Sequence, residues 1–351
     1  MDLSVEEYID VLFSKESTEK PSDTKRPEEL EMRIPEWYDE KKFNQSWKSL
    51  MAVRTRHVKA SLASKIKGVG IISQRDLAIT QFGFIGISLL KPDKFGIQQL
   101  QPGDWEAYNH FWRTIGYAIG LEDRYNICRA TFKETQEVCH ILKDRVFKPC
   151  LTNVPEYFEH LSRCLLDAMW CVNPTINIDG LLYLTKHLMD VPGYVYTETE
   201  RANLQDKIRD MLGGQSEDIG VDVNRFILEP AIEGCPKPSS RLLYLRHYDS
   251  IETIPEYQSL PFAGKYRLAI ITLFSAFYTT YWGRLYLNIN FKVTIFLLKY
   301  FPFLAFPRFG YFASFVNVFE EDPTDDAKVK PNSEYYKPKP KQPWYKAYLP
   351  F

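Results

Sequence analysis

Six histidines are the side chains of this 351-residue chain that ordinarily titrate near neutrality, and one of them, His57, stands in a setting that could serve a cofactor. If its surroundings are helical, the positions three, four and seven back are Arg54, Val53 and Leu50, which puts the imidazole on a partly apolar face with a guanidinium one turn away. Ahead lie Ala60, Ser61 and Ser64, small residues that let a flat group approach the helix. A neutral imidazole there can take a haem iron axially, with Arg54 or Arg56 pairing a propionate. The competing reading on residues alone is a histidine that caps a helix or fills the core.

The other candidates are weaker. A di-iron bundle needs Glu-x-x-His on each of two helices. Glu137 and His140 supply one copy, and no other histidine has Glu three residues earlier. His110 follows Glu106 by four, and His160 stands one residue after Glu159 and four after Glu156; both read as chance pairs on helix faces. His187 and His247 have no partner pattern. The chain contains no P-loop, no G-x-G-x-x-G, no G-x-S-x-G and no H-E-x-x-H.

The elements that must position these residues read as helices. Apolar content is 45%, enough for a real core, and Lys plus Arg (44) nearly cancel Asp plus Glu (45), so no global field favours nucleic acid. Ser46 opens a helix that Gly68 and Gly70 stop, Ser73 with Asp76 begins a second, and Asp104 is expected to cap a third that Gly120 ends. In that third helix Trp105, Tyr108, Phe111, Trp112, Ile115 and Ile119 repeat at three and four, the pattern of a core helix. Further helices are expected over 133–144, 156–171, 178–189 and 198–212. Strand signals are scarce, and the expected class is all-α. Residues 1–34 read as a polar, mobile lead-in, 35–262 as the helical domain, 263–320 as hydrophobic helices and 321–351 as an extended basic tail with Lys337, Lys339 and Lys341.

Six cysteines without a C-x-x-C pair are expected to be buried reduced thiols. The acidic N-terminus never reaches a long apolar run, so no secretory signal and an intracellular setting are expected. Residues 268–283 run 16 long without a charge and carry Thr272, Ser275, Thr279 and Thr280. That leaves open a covered helix, contact with a bilayer interface, or a span.

Three ordered segments carry a resemblance: Val53-Arg54-x-x-His57, then Ile72-Ser73-Gln74-x-Asp76-x-x-x-Thr80, then His110-Phe111-Trp112-Arg113-x-Ile115-Gly116-Tyr117-x-x-Gly120. Their order and spacing resemble the catalytic domain shared by rubber oxygenase (latex clearing protein) and the endoplasmic-reticulum-bound mpaB oxygenases. The likeness is clearest over 37–126 and weaker to about 262. It implies a globin-like helical core with additional helices and irregular termini, His57 as axial ligand of a b-type haem, and Arg54 as a nearby haem or structural partner. It also implies oxidative cleavage of an unsaturated, isoprenoid-like or lipid chain with dioxygen, near the endoplasmic-reticulum membrane. Trp112 and Gly116 are expected to be packing residues. The chain departs from the family upstream, where Arg26 is followed by Pro27 and Leu30 in place of an Arg-x-x-x-Thr pair, so no distal base is assigned. The alternative expectation is a non-catalytic helical module for lipid binding or membrane assembly.

Overall fold

The computed structural model describes residues 4–18, 40–152, 154, 156–169, 177–227 and 240–314. The expectations for residues 19–34, Arg26 and Leu30 among them, and for the tail from 321 lie outside these. Among the described residues the protein is all-α, in the order α1 (Val5–Leu12), α2 (Glu40–Ile66), α3 (Gln74–Leu90), α4 (Asp104–Ile119), α5 (Phe132–Leu142), α6 (Lys148–Thr152), α7 (Glu156–Met169), α8 (Ile178–Leu188) and α9 (Glu198–Leu212). A minimal antiparallel pair follows, β1 (Val221–Asp222) with β2 (Leu242–Leu243), in which Val221 faces Leu243. The chain ends in α10 (Pro255–Gln258), α11 (Phe262–Tyr278), α12 (Tyr281–Tyr300) and α13 (Phe306–Ala313).

Short polar signals set where the helices begin. Ser4 with Glu7, Ser73 with Asp76, Thr131 with Glu134 and Thr197 with Glu200 each form a reciprocal capping box, which satisfies two amide donors that a helix start otherwise leaves bare. Asp104 acts differently from expectation. It is the first residue of α4, after Gly103, and its carboxylate accepts from the Leu100 and Gln101 amides at 2.8 and 2.7 Å, so it braces the preceding loop.

The lead-in differs from its composition. Val5–Leu12 is a helix whose Tyr8, Ile9 and Leu12 are buried, with the Tyr8 hydroxyl donating to the Tyr125 carbonyl at 2.8 Å. Eight amphipathic residues are hidden there by the polar run that follows them. Helices α1, α3 and α5 surround the main core with Phe82, Ile85, Leu89, Val138 and Leu142. The segment 121–128, buried through Leu121, Tyr125, Ile127 and Cys128, runs through that core without being helix or strand. A second cluster joins α9 to the β pair through Ile208, Val223, Leu245 and Tyr248. Helix α11 packs on α8, and α12 on α11.

Cys128, Cys139, Cys150 and Cys164 are free thiols, but only Cys128 and Cys139 are buried as expected, Cys150 being half-buried and Cys164 exposed on α7; burial pushes Cys139 up to about 12. Cys171 and Cys235 lie outside the described residues. No helix among the described residues is long and apolar enough to cross a membrane.

Asp190, just past α8, ties the two halves. It has the left-handed φ of 54° and accepts from Lys143 at 2.5 Å and from Lys91 at the end of α3. Burial raises its carboxyl, but the two lysines outweigh burial and hold it below the ordinary 3.8. With the folded value below the unfolded one, this stabilisation is complete above the carboxylate range and is lost as pH falls through it. Asp190→Asn keeps a side chain that tolerates the left-handed backbone and leaves the buried Lys143 ammonium without its counter-charge. It should destabilise by about 2 kcal/mol at neutral pH, less than a fully buried pair because Asp190 is 43% exposed, and the deficit should shrink in acid. Urea denaturation of both proteins at the two pH values measures this.

Candidate functional site

The candidate site is a cavity of about 720 Å³ walled by α2, the loop that follows it, α3 and α4. Leu50, Val53 and His57 come from α2, Val69 to Ile72 from the loop, Leu77, Gln81 and Phe84 from α3, and Trp112, Ile115 and Ile119 from α4. Its volume is in the range, roughly 300–1,000 Å³, of sites that bind small molecules and cofactors.

Two contacts hold α2 so that His57 reaches this wall. The buried Ser61 hydroxyl accepts from the Ile72 amide at 2.9 Å, folding the loop back on its own helix. The loop can make that turn because Gly68 and Gly70 adopt φ of 73° and 124°, a region side chains rarely enter. Arg54 donates to the Ala118 carbonyl near the end of α4 at 3.4 Å and is not among the residues lining the cavity. The structure therefore brings His57 to the cavity and sets Arg54 behind it, bridging α2 to α4.

The wall is mostly apolar, and three of its polar side chains, Asp76, Thr80 and Gln81, are engaged by protein. Asp76 accepts from the Ser73 amide and hydroxyl at 2.8 and 2.7 Å, and the Thr80 hydroxyl donates to the Asp76 carbonyl at 2.7 Å. Gln81 donates to the Trp112 carbonyl at 3.0 Å and accepts from the Ile127 amide at 3.3 Å. Among the described lining residues, His57 alone carries a buried side-chain atom without a hydrogen-bond partner, its Nδ1. Leaving such a nitrogen bare costs about 1–3 kcal/mol.

All three segments of the resemblance reach this cavity. The aromatic stripe on α4 is shared between two environments: Trp105 stacks on Phe132 at 5.3 Å against the core, while Trp112 lines the cavity and stacks on Phe84 at 5.6 Å. Sequence reasoning missed Val69, Gln81 and Phe84 as wall residues. The apolar register of α2 and α3 was the available signal, but it does not say which apolar residues face a void.

The remaining histidine patterns come apart. Glu106 accepts from the Phe132 amide at 3.0 Å at the start of α5, away from any metal role with His110. His187 pairs its Nδ1 with the Tyr194 carbonyl at 2.9 Å and stands 3.6 Å from Glu200, with burial holding its pKa below 6.5. No group of three or more His, Cys, Asp or Glu among the described residues could hold a metal ion. A second cavity of about 690 Å³ lies beside α7 and α8. Its charged groups pair with protein, Arg163 with Asp179 at 2.9 Å and Glu256 with Arg241 at 3.2 Å.

Fold and site together define an all-α protein with a histidine on the wall of an apolar cavity. No protein-family model, no curated protein and no solved structure matches the chain.

Gly116 marks how tightly the back of the cavity is built. A Cβ there would stand 2.8 Å from Gln81 Nε2 and 2.9 Å from Asn126 Nδ2, both fixed by their hydrogen bonds. At Gly83, in the same bundle, an added Cβ meets nothing within 4 Å. Gly116→Ala should destabilise by about 1–3 kcal/mol through overpacking, whereas Gly83→Ala should stabilise by about 0.5–1 kcal/mol through helix propensity. The opposite signs are read from paired thermal melts.

Proposed function

We propose that the cavity holds a b-type haem with His57 as axial ligand, and that the protein is a haem-dependent oxygenase of the class its sequence resembles, acting on an unsaturated isoprenoid-like or lipid chain. The observation that carries this reading is the place of His57 on the wall of this apolar cavity, with an imidazole nitrogen that no protein group pairs. A neutral imidazole is a ligand suited to iron, and apolar walls of this kind suit a flat macrocycle. The residues present therefore fit the group.

The haem, when bound, supplies the chemistry that activates dioxygen. Everything else is done by the chain. The Ser61 bond to Ile72 and the Arg54 bond to Ala118 fix the helix that presents the imidazole, so Arg54 acts as a positioning residue. Val53, Ile72, Ile115 and Ile119 offer an apolar surface on which a hydrocarbon chain can rest. The expected setting is the endoplasmic-reticulum membrane, where such chains are dissolved.

One observation favours the alternative of a non-catalytic module that binds a lipid or cofactor. Asp76, the carboxylate on the described wall, accepts from Ser73, and apart from His57 the wall offers no second histidine, lysine or carboxylate to act as an acid or base. The two readings separate on turnover: both allow binding, and only the first predicts dioxygen uptake with an unsaturated isoprenoid.

Haem binding itself is tested by titrating the purified full chain with hemin. A Soret band that saturates at one haem per chain is expected, with affinity falling at least about 100-fold in His57→Ala, since even partners of metal ligands contribute 10–100-fold. No Soret shift, or a His57→Ala protein that binds as wild type does, removes the reading.

A further inference from the structure

We propose that α11, α12 and α13 form a peripheral anchor that lies in the headgroup region of an anionic bilayer. The observation is separate from the His57 cavity and does not depend on what that cavity binds. Helix α12 has one buried residue, Gly283, while Trp282 is 70% exposed, Phe291 64% and Leu304, beyond the helix, 59%. Leu273 on α11 is 68% exposed, so the apolar surface continues across the hairpin. Exposed apolar surface of this extent marks a contact that the isolated chain leaves unmade.

Charge identifies the occupant. From 257 to 319 the chain contains no Asp or Glu, against six basic residues: Lys265, Arg267, Arg284, Lys292, Lys299 and Arg308. In the same region, 17 of the 52 residues from 262 to 313 are Phe, Tyr or Trp, about twice the 15% of the whole chain. Aromatic rings and basic side chains on apolar helices are what the interface of an acidic membrane selects. A second copy of this face is a poor match, because it would bring basic groups together with no acid to pair them.

Length and polarity set the depth. None of these helices is long and apolar enough to cross a bilayer. Asn288, Asn290 and Lys292 interrupt α12, so the helix lies on the membrane rather than in it. The hairpin is held as a unit where α12 meets α11: a Cβ on Gly283 would stand 1.9 Å from the Phe277 carbonyl oxygen, and Arg284 donates to the Thr279 carbonyl at 2.5 Å. It joins the body where α11 packs on α8 and on the turn Pro92–Phe95.

Sedimentation of the full chain with phosphatidylcholine vesicles, with and without phosphatidylserine, tests this. Strong, salt-sensitive binding to the anionic vesicles and weak binding to the neutral ones is expected. Lys292→Gln with Lys299→Gln should lower the anionic partition about thirtyfold and leave neutral binding unchanged. Trp282→Ser with Phe291→Ser should lower both, and since all four side chains are exposed, helical circular dichroism should stay the same. The proposal falls if the wild type does not sediment with anionic vesicles or if either pair of substitutions leaves binding unchanged. It also falls if analytical ultracentrifugation shows a lipid-free dimer, or a complex with an acidic protein, that Trp282→Ser with Phe291→Ser dissolves. None of these measurements reads haem, so this proposal and the reading of the cavity fail independently.

Discussion

The segment 121–128 is largely buried yet neither helical nor paired as a strand, so those of its peptide groups that its own turn does not pair need partners from elsewhere. Four buried amide side chains supply many of those partners. Gln74 donates to the Gly120 carbonyl and accepts from the Glu122 amide, both at 3.0 Å. Gln81 accepts from Ile127, Asn126 accepts from Cys128 while donating to the Arg113 carbonyl, and Asn109 donates to the Arg129 carbonyl. Tyr8 completes the set on the Tyr125 carbonyl. An unsatisfied group in this position costs more than a made bond contributes, so the segment sits in the core because α1, α3 and α4 bring Tyr8, Gln74, Gln81 and Asn109 to it and its own Asn126 bonds back to α4. The same bonds lock α3 to α4, and the cavity is built on the outer side of that joint.

This explains which parts of the fold were legible in the residues. Helix starts are local where a capping box makes them: Ser73 with Asp76 carries its own hydrogen-bonding logic within four residues and spacing finds it, whereas Ser46, expected to open a helix, lies inside α2, which begins at Glu40. The amides are the opposite case. Gln74, Gln81, Asn109 and Asn126 are polar types that ordinarily face water, and what buries them are partners as far as 48 residues away in sequence. Composition misled in the same way at α1, where a long polar neighbour obscured three core side chains, and at Asp104, whose place before an aromatic helix looks like a cap but whose carboxylate turns back to the loop.

The site was legible in part for a related reason. His57 was singled out by its local face, with Val53 and Leu50 one and two turns behind, and those three residues line one wall of the cavity. Arg54 was singled out by adjacency to the same histidine, but neighbours three apart on a helix are displaced by about 60° around its axis. That displacement is enough to aim one side chain at the void and the other at the C-terminal end of α4. The aromatic stripe of α4 shows the limit from the other side. Period alone identifies which residues leave water, and cannot tell a ring that meets another helix from one that meets a cavity.

A void walled by apolar side chains tends to close, because collapse removes those walls from water. Here closure is opposed from behind. Moving α4 toward α2 would break the Gln81 and Asn126 bonds, and moving α2 would break the Ser61 bond to Ile72 and the Arg54 bond to Ala118. Each lost bond inside the core costs about as much as burying one more apolar side chain contributes, so the bracing holds the walls apart. Such a scaffold keeps surface wet that it could have buried, and it gives up stability by doing so. A ligand that covers the walls returns that stability, so occupancy of the cavity and folding of α2 against α4 are thermodynamically linked. The bracing that makes the cavity unfavourable when empty is the same bracing that pre-organises it to bind.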